Sequence, residues 1–393
     1  MEKRKYTALS GRAWERIAGQ DMSPSEAVRF FSQDLCPRTF GEVLARTMEC
    51  RGVDREGLID RLWALRDGDI QRESVRRRVA MWLGAAQPAE REELFQLCFA
   101  LGLDEMEARA FLRCTQDGDF HLREPREAGY LYGLRAGRTY GEVRGLLDQL
   151  GWADGPFPPG GEEGRGEPVY TRTVADAFAL VRTDDDFLRF CRANRSRFGS
   201  FHNTAYTYFI RFFDALADPD APLGAEEDET YSIERVVDLY LRPGLPSGRK
   251  TTGFTAAQKA VKRLWPNATA IKNMRARKLD VTRKVLLLLY LATEGLDDGA
   301  MDEAMGWAPA SPAERLEEHA WNLDLMLHEC GMSPLDPRNP FDWLILYSLR
   351  SDGEEEAMRD RLTAVLTALF PGQDLDGGGD LHATLESKGG DPP

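Results

Sequence analysis

Arg72-Glu-Ser-Val-Arg-Arg-Arg-Val-Ala-Met-Trp-Leu-Gly84 is the stretch from which the fold is read. Its apolar residues Val75, Val79, Trp82 and Leu83 recur at spacings of three and four, which places them on one stripe of a helix. Arg72, Ser74, Arg76 and Arg77 fall outside that stripe near the helix start, and Arg78 lies at its flank. Gly84 stops the helix. Downstream, periodicity predicts helices over Glu90 to Leu101 and Asp104 to Arg113; upstream, over Thr39 to Arg51 and Asp54 to about Trp63. Start signals punctuate the rest of the chain. Thr39 with Glu42, Thr139 with Glu142 and Thr255 with Gln258 have the spacing of a capping box, in which the hydroxyl takes the third amide and the carboxylate or amide reaches back. Ser23-Pro24 and Ser311-Pro312 add proline at the first helical position, and Asn339-Pro340-Phe341-Asp342 is a similar start. No sustained alternating pattern with hairpin turns is present, so the expected fold is all-α, a multi-helix protein.

At 393 residues the chain is long enough for two to four packed units. Composition divides it into an N-terminal helical extension (1–38), a five-helix unit (39–115) and a further helical extension (116–154). A proline- and glycine-rich linker (155–168) then leads to an aromatic-rich helical module (169–216). An acidic, flexible linker with one short helix (217–253) precedes a C-terminal helical domain (254–370), and the tail 371–393 is expected to be disordered.

The run from Ser74 through Gly84 and Pro88 to Leu-Phe-Gln-Leu-Cys-Phe-Ala-Leu-Gly-Leu103 resembles the lambda-repressor/Cro-type helix-turn-helix family, over residues 39–115. The resemblance implies that helix 72–83 is a recognition helix whose first residues enter the major groove of double-stranded DNA, and that the protein regulates transcription. It also implies a homodimer, since such domains bind two half-sites. Arg72, Ser74, Arg76 and Arg77 would then be the groove contacts, an arginine fork matching guanine or a phosphate, with Arg78 on phosphate; the alternative is that this arginine cluster pairs with acidic faces of the same chain. Two features depart from the family pattern. The connection Ala64 to Gln71 is longer than its tight turn, and residues 39–115 hold 12 arginines against 14 acids.

A second basic feature lies at 249–284, with 11 lysines and arginines and a single acid, Asp280. Such a concentration is the electrostatic footprint of a phosphate-binding face. Lys272, Asn273, Arg275 and Arg277 are its candidate contacts. The same charge would also suit docking onto an acidic surface, of a partner or of this chain (Asp184 to Asp186, Glu226 to Glu229), or a solvated face.

Other classes find little support in the sequence. The net charge of −14 argues against a uniformly basic coat, and the longest apolar run, Val285 to Ala292, is too short to span a bilayer. The basic N-terminus lacks the apolar core of a signal peptide. The six cysteines lack zinc-knuckle spacing and read as reduced, core-type thiols of a cytoplasmic protein. No phosphate-cradling loop, HExxH or GxSxG motif occurs, and His202 has no nucleophile near it in sequence. The expectation is a non-enzymatic DNA-binding protein without cofactor or metal. The alternative is an interaction adaptor whose helix-turn-helix no longer binds DNA, with a small-molecule-sensing or enzymatic domain at 170–240 as a more distant reading.

Overall fold

The computed structural model describes residues 8–35, 39–66, 71–84, 87–115, 118–152, 171–198, 203–217, 236–241, 244–246, 253–294, 311–351 and 356–371. Among these there are helices and no strands. In chain order they are α1 (Ala8–Gly19), α2 (Pro24–Phe30), α3 (Phe40–Cys50), α4 (Arg55–Ala64), α5 (Arg72–Leu83), α6 (Arg91–Ala100), α7 (Glu105–Leu112), α8 (Pro125–Ala136) and α9 (Tyr140–Asp148). They continue as α10 (Thr171–Ala179), α11 (Asp184–Ala193), α12 (Asn203–Ala217), α13 (Ala256–Leu264), α14 (Ala268–Arg275), α15 (Arg283–Ala292), α16 (Pro312–Glu329), α17 (Pro340–Leu349) and α18 (Met358–Leu369). Single π-helical turns occur at Phe31–Leu35 and Val237–Leu241. The linker 155–168, most of 217–253 and nearly all of the tail, Cys36, Phe201 and His202 lie outside the described residues.

The capping chemistry does its local work as read. Thr39, Thr139 and Thr255 each receive the third amide of their helix while Glu42, Glu142 and Gln258 bond back to the cap. Ser23 with Glu26 and Ser311 with Glu314 do the same. These reciprocal bonds satisfy two otherwise orphaned donors at each start.

Burial sorts the helices into two cores. The first runs from Phe40 to Phe198 and is built on aromatic contacts: Phe95 lies 5.3 Å from Phe120 and 5.2 Å from Tyr130, and Tyr132 stacks on Phe187 at 5.0 Å. The second joins Ile17 to Phe31 with Ala205 to Phe370. At its centre Val285 to Leu291 of α15 are all buried, and Trp343 of α17 packs against Phe30, Phe31 and Tyr347. The aromatic segment 169–216 is shared between them, with Phe187, Phe190 and Phe198 in the first core and Phe209, Phe212 and Phe213 in the second.

The N-terminal helices are tied to the last ones. The Tyr347 hydroxyl donates to the Met22 carbonyl at 3.0 Å, Arg361 donates to Asp21 at 2.5 Å, and Arg350 donates to the Ile17 carbonyl at 2.9 Å. An ion pair between a buried carboxylate and a half-buried guanidinium closes the same core. Arg283 donates to both oxygens of Asp342, at 2.6 and 2.9 Å, and to the carbonyls of Ser333 and Pro334. The two cores touch where the Ser333 hydroxyl donates to Asp119 at 3.0 Å. No helix of the described residues is long and apolar enough to cross a membrane.

Cys98, Cys191 and Cys330 are buried, as core-type thiols should be, and burial pushes the Cys330 thiol up to about 12. Cys50 and Cys114 are exposed instead. Cys50 is the last residue of α3, and Cys114 lies two residues beyond the end of α7.

One glycine sets how closely two helices meet. A Cβ on Gly41, in the first turn of α3, would fall 2.5 Å from the Leu83 carbonyl oxygen and 2.9 Å from that of Trp82, both backbone atoms at the end of α5. Gly41→Ala is therefore expected to cost about 1–3 kcal/mol by overpacking, read by denaturant unfolding. Gly145→Ala, where a Cβ meets nothing within 4 Å, is the control and should be neutral or slightly stabilising. Equal behaviour of the two variants would contradict the close crossing.

Candidate nucleic-acid interface

The candidate interface is the exposed side of α5. Val75, Val79 and Trp82 are buried and dock the helix onto α3 and α4, so the periodicity identified its inward stripe. Gln71 at the N-cap makes no side-chain cap bond. The first amides of α5 thus lack the side-chain acceptor that Thr39 supplies to α3.

The arginines are distributed unequally. Arg77 stands out with 80% of its side chain exposed, at 3.9 Å from Glu73. Arg72 leans back onto α4, where it donates to Glu56 at 2.8 Å and Asp60 at 2.6 Å. Arg76 donates to the same Glu56 at 2.9 Å and to Glu73 at 3.1 Å. These bonds hold the Glu56 carboxyl below the usual carboxylate range and raise the guanidinium values of Arg72 and Arg76. Arg78, on the flank, pairs with Glu93 of α6, which also accepts from Arg66 at 3.2 Å. Ser74 is half-buried, its backbone amide bonded to the Gln71 carbonyl.

Glu56 and Asp60 are the partners that the sequence reading missed. They sit four apart on α4, as Arg72 and Arg76 sit four apart on α5, so each pair shares one helix face. Two opposite-charge pairs of the same period on consecutive helices were the available signal. All of these groups remain substantially exposed, where ion pairs are weak, salt-screened and exchangeable.

In the basic segment, part of the charge serves packing. Arg275 lies over the Phe213 ring at 5.0 Å and 4.0 Å from Asp214, both on α12. Arg277, in a left-handed conformation with φ of 52°, covers the Tyr206 ring at 4.0 Å and donates to Asn203 at 2.7 Å. Asn273 is half-buried, its carbonyl accepting from the amides of Lys278 and Leu279, while Lys272 is exposed. Arg275 and Arg277 thus fasten α14 to α12. Arg249 and Lys250 lie outside the described residues.

Large apolar side chains also reach the surface of this helix pair: Met81 of α5 is 56% exposed and Trp63 of α4 is 48% exposed. No group of histidine, cysteine and acidic side chains among the described residues could hold a metal ion. No protein-family model, curated protein or solved structure matches the chain.

Proposed function

We propose that residues 39–115 form a lambda-repressor/Cro-type helix-turn-helix module and that the chain is a non-enzymatic transcriptional regulator binding double-stranded DNA through α5. The observation that carries this reading is the orientation of α5. Its apolar stripe is committed to α3 and α4, which leaves Arg77 exposed and Arg72 and Arg76 in solvent-accessible ion pairs, on a helix with an uncapped start. Arg77 enters the groove first. Arg72 and Arg76 exchange Glu56 and Asp60 for phosphate, a competition that makes binding fall steeply with salt. Lys272 is the contact that the basic segment adds.

The test is fluorescence anisotropy on duplexes selected from a random pool. Arg76→Gln with Arg77→Gln is expected to weaken binding at least tenfold, the loss of one or two good contacts, with helicity unchanged. Glu56→Gln is expected to strengthen it, because a competitor for both arginines is gone. Undiminished affinity in the double variant would remove α5 from the interface.

A second reading has its own observation. Glu56, Asp60 and Glu73 neutralise much of the arginine charge, and Trp63 and Met81 are residue types that favour protein interfaces. On this reading the module is a protein-interaction adaptor. Failure to retain any duplex from the pool, at any salt, selects it.

A further inference from the structure

Away from the exposed arginines of α5, a cleft of about 880 Å3 opens where the two cores meet. One wall comes from α3 and α7 of the first core; the other comes from α1, α13 and the turn that starts α17 in the second. Five arginines line it against three acids, in a chain whose net charge is −14. The acids are largely occupied. Glu107 pairs with Arg51 and caps α7, and Asp336 accepts from the Ser10 hydroxyl and the Arg338 amide. Arg12 of α1, Arg46 of α3 and Arg338 before α17 are exposed, and their side chains have neither an ion pair nor a hydrogen bond among the described residues.

Three guanidinium groups from three separate elements, unpaired among the described residues, create a local excess of positive charge around one concavity. A bound multivalent anion relieves it, and arginine forks match phosphate oxygens in particular. The floor is of a different character. Phe40, Leu103 and Phe111 are buried beneath it, and the half-buried Phe30, Leu35 and Val43 supply apolar surface to the cleft itself. The volume lies within the range of sites that enclose small ligands. A basic rim over an apolar floor suits a ligand carrying phosphate at one end and a flat ring at the other.

We infer that this cleft binds a small organic phosphate of mononucleotide size, which bridges the two cores. Its phosphate contacts Arg12, Arg46 and Arg338, and its ring seats against Phe30, Leu35 and Val43. Such a ligand ties α3 and α7 to the C-terminal core, so its binding energy stabilises their mutual placement.

Cys50 and Cys114 line the same cleft and are exposed, which supplies a local reporter. The full-length chain is treated with iodoacetamide, and alkylation at these two positions is followed by mass spectrometry with AMP, GMP, ATP or inorganic pyrophosphate present. At least one nucleotide is expected to slow alkylation of both cysteines and raise the melting temperature, with pyrophosphate, which lacks a ring, weaker. Arg46→Gln with Arg338→Gln is expected to weaken that nucleotide at least tenfold without changing the melting of the unliganded protein. No protection by any nucleotide, full protection in the double variant, or pyrophosphate binding as tightly as the nucleotides would each overturn the assignment. Neither Arg76 nor Arg77 lines the cleft, so the DNA reading stands or falls separately.

Discussion

Asp342→Ala is expected to destabilise the C-terminal core by about 3–5 kcal/mol, the usual cost of leaving one partner of a buried ion pair alone. Asp342 is 2% exposed and receives both guanidinium nitrogens of Arg283 and the Asp336 amide. Removing the carboxylate leaves a half-buried cation facing α17 with only the Ser333 and Pro334 carbonyls. Amide hydrogen exchange in α15 and α17 gives a local measurement, since both helices belong to this core. Arg283→Met combined with Asp342→Leu should recover much of the loss, because an apolar pair of similar volume has no desolvation cost to offset. Unchanged protection in Asp342→Ala would mean that the pair has little structural role.

Lowering the pH from 7 to 4 is expected to remove about 3 kcal/mol of stability through one residue, His319. Its ring is buried in α16 with the Tyr290 hydroxyl 2.8 Å from Nδ1. Burial, with the nearby charge of Arg315, lowers its pKa from 6.5 to about 4. The unfolded chain therefore takes up a proton as pH falls through 6.5, while the folded chain does not until about pH 4. More protons on the unfolded state means stability that rises with pH, so the contribution is complete above 6.5 and lost on acidification across that window. His319→Gln should flatten the difference: its unfolding free energy between pH 7 and 4 should fall less steeply than that of the wild type. Parallel curves for the two proteins would show that the histidine titrates freely in the fold.

Local chemistry was legible in the sequence and long-range chemistry was not. A Thr with a Glu three residues later specifies its own hydrogen bonds, so the starts of α3, α9 and α13 followed directly. The Thr183 box of α11 escaped, because Asp186 stands where glutamate or glutamine was sought. Periodicity gave the inward face of α5. It could not give the partners of Arg72 and Arg76, which are set by how α4 and α5 cross. Nor could it separate Phe198 from Phe209, eleven residues apart and in different cores, because side-chain spacing carries no information on which distant helix a segment meets. The cleft arginines at positions 12, 46 and 338 were invisible for the same reason.

The anchoring of α1 and α2 by Tyr347, Arg350 and Arg361 has a consequence for biosynthesis. Emerging before α17 and α18, α1 and α2 must wait for residues near 370 before their binding groove exists, a delay on the order of tens of seconds at ordinary elongation rates. During that interval the intervening segment 40–198 has every side chain of its own core available and can close by itself. Ile17, Met22 and Phe31 remain uncovered until α17 and α18 have emerged. Nascent chains stalled before α17 should therefore be the form that chaperones capture.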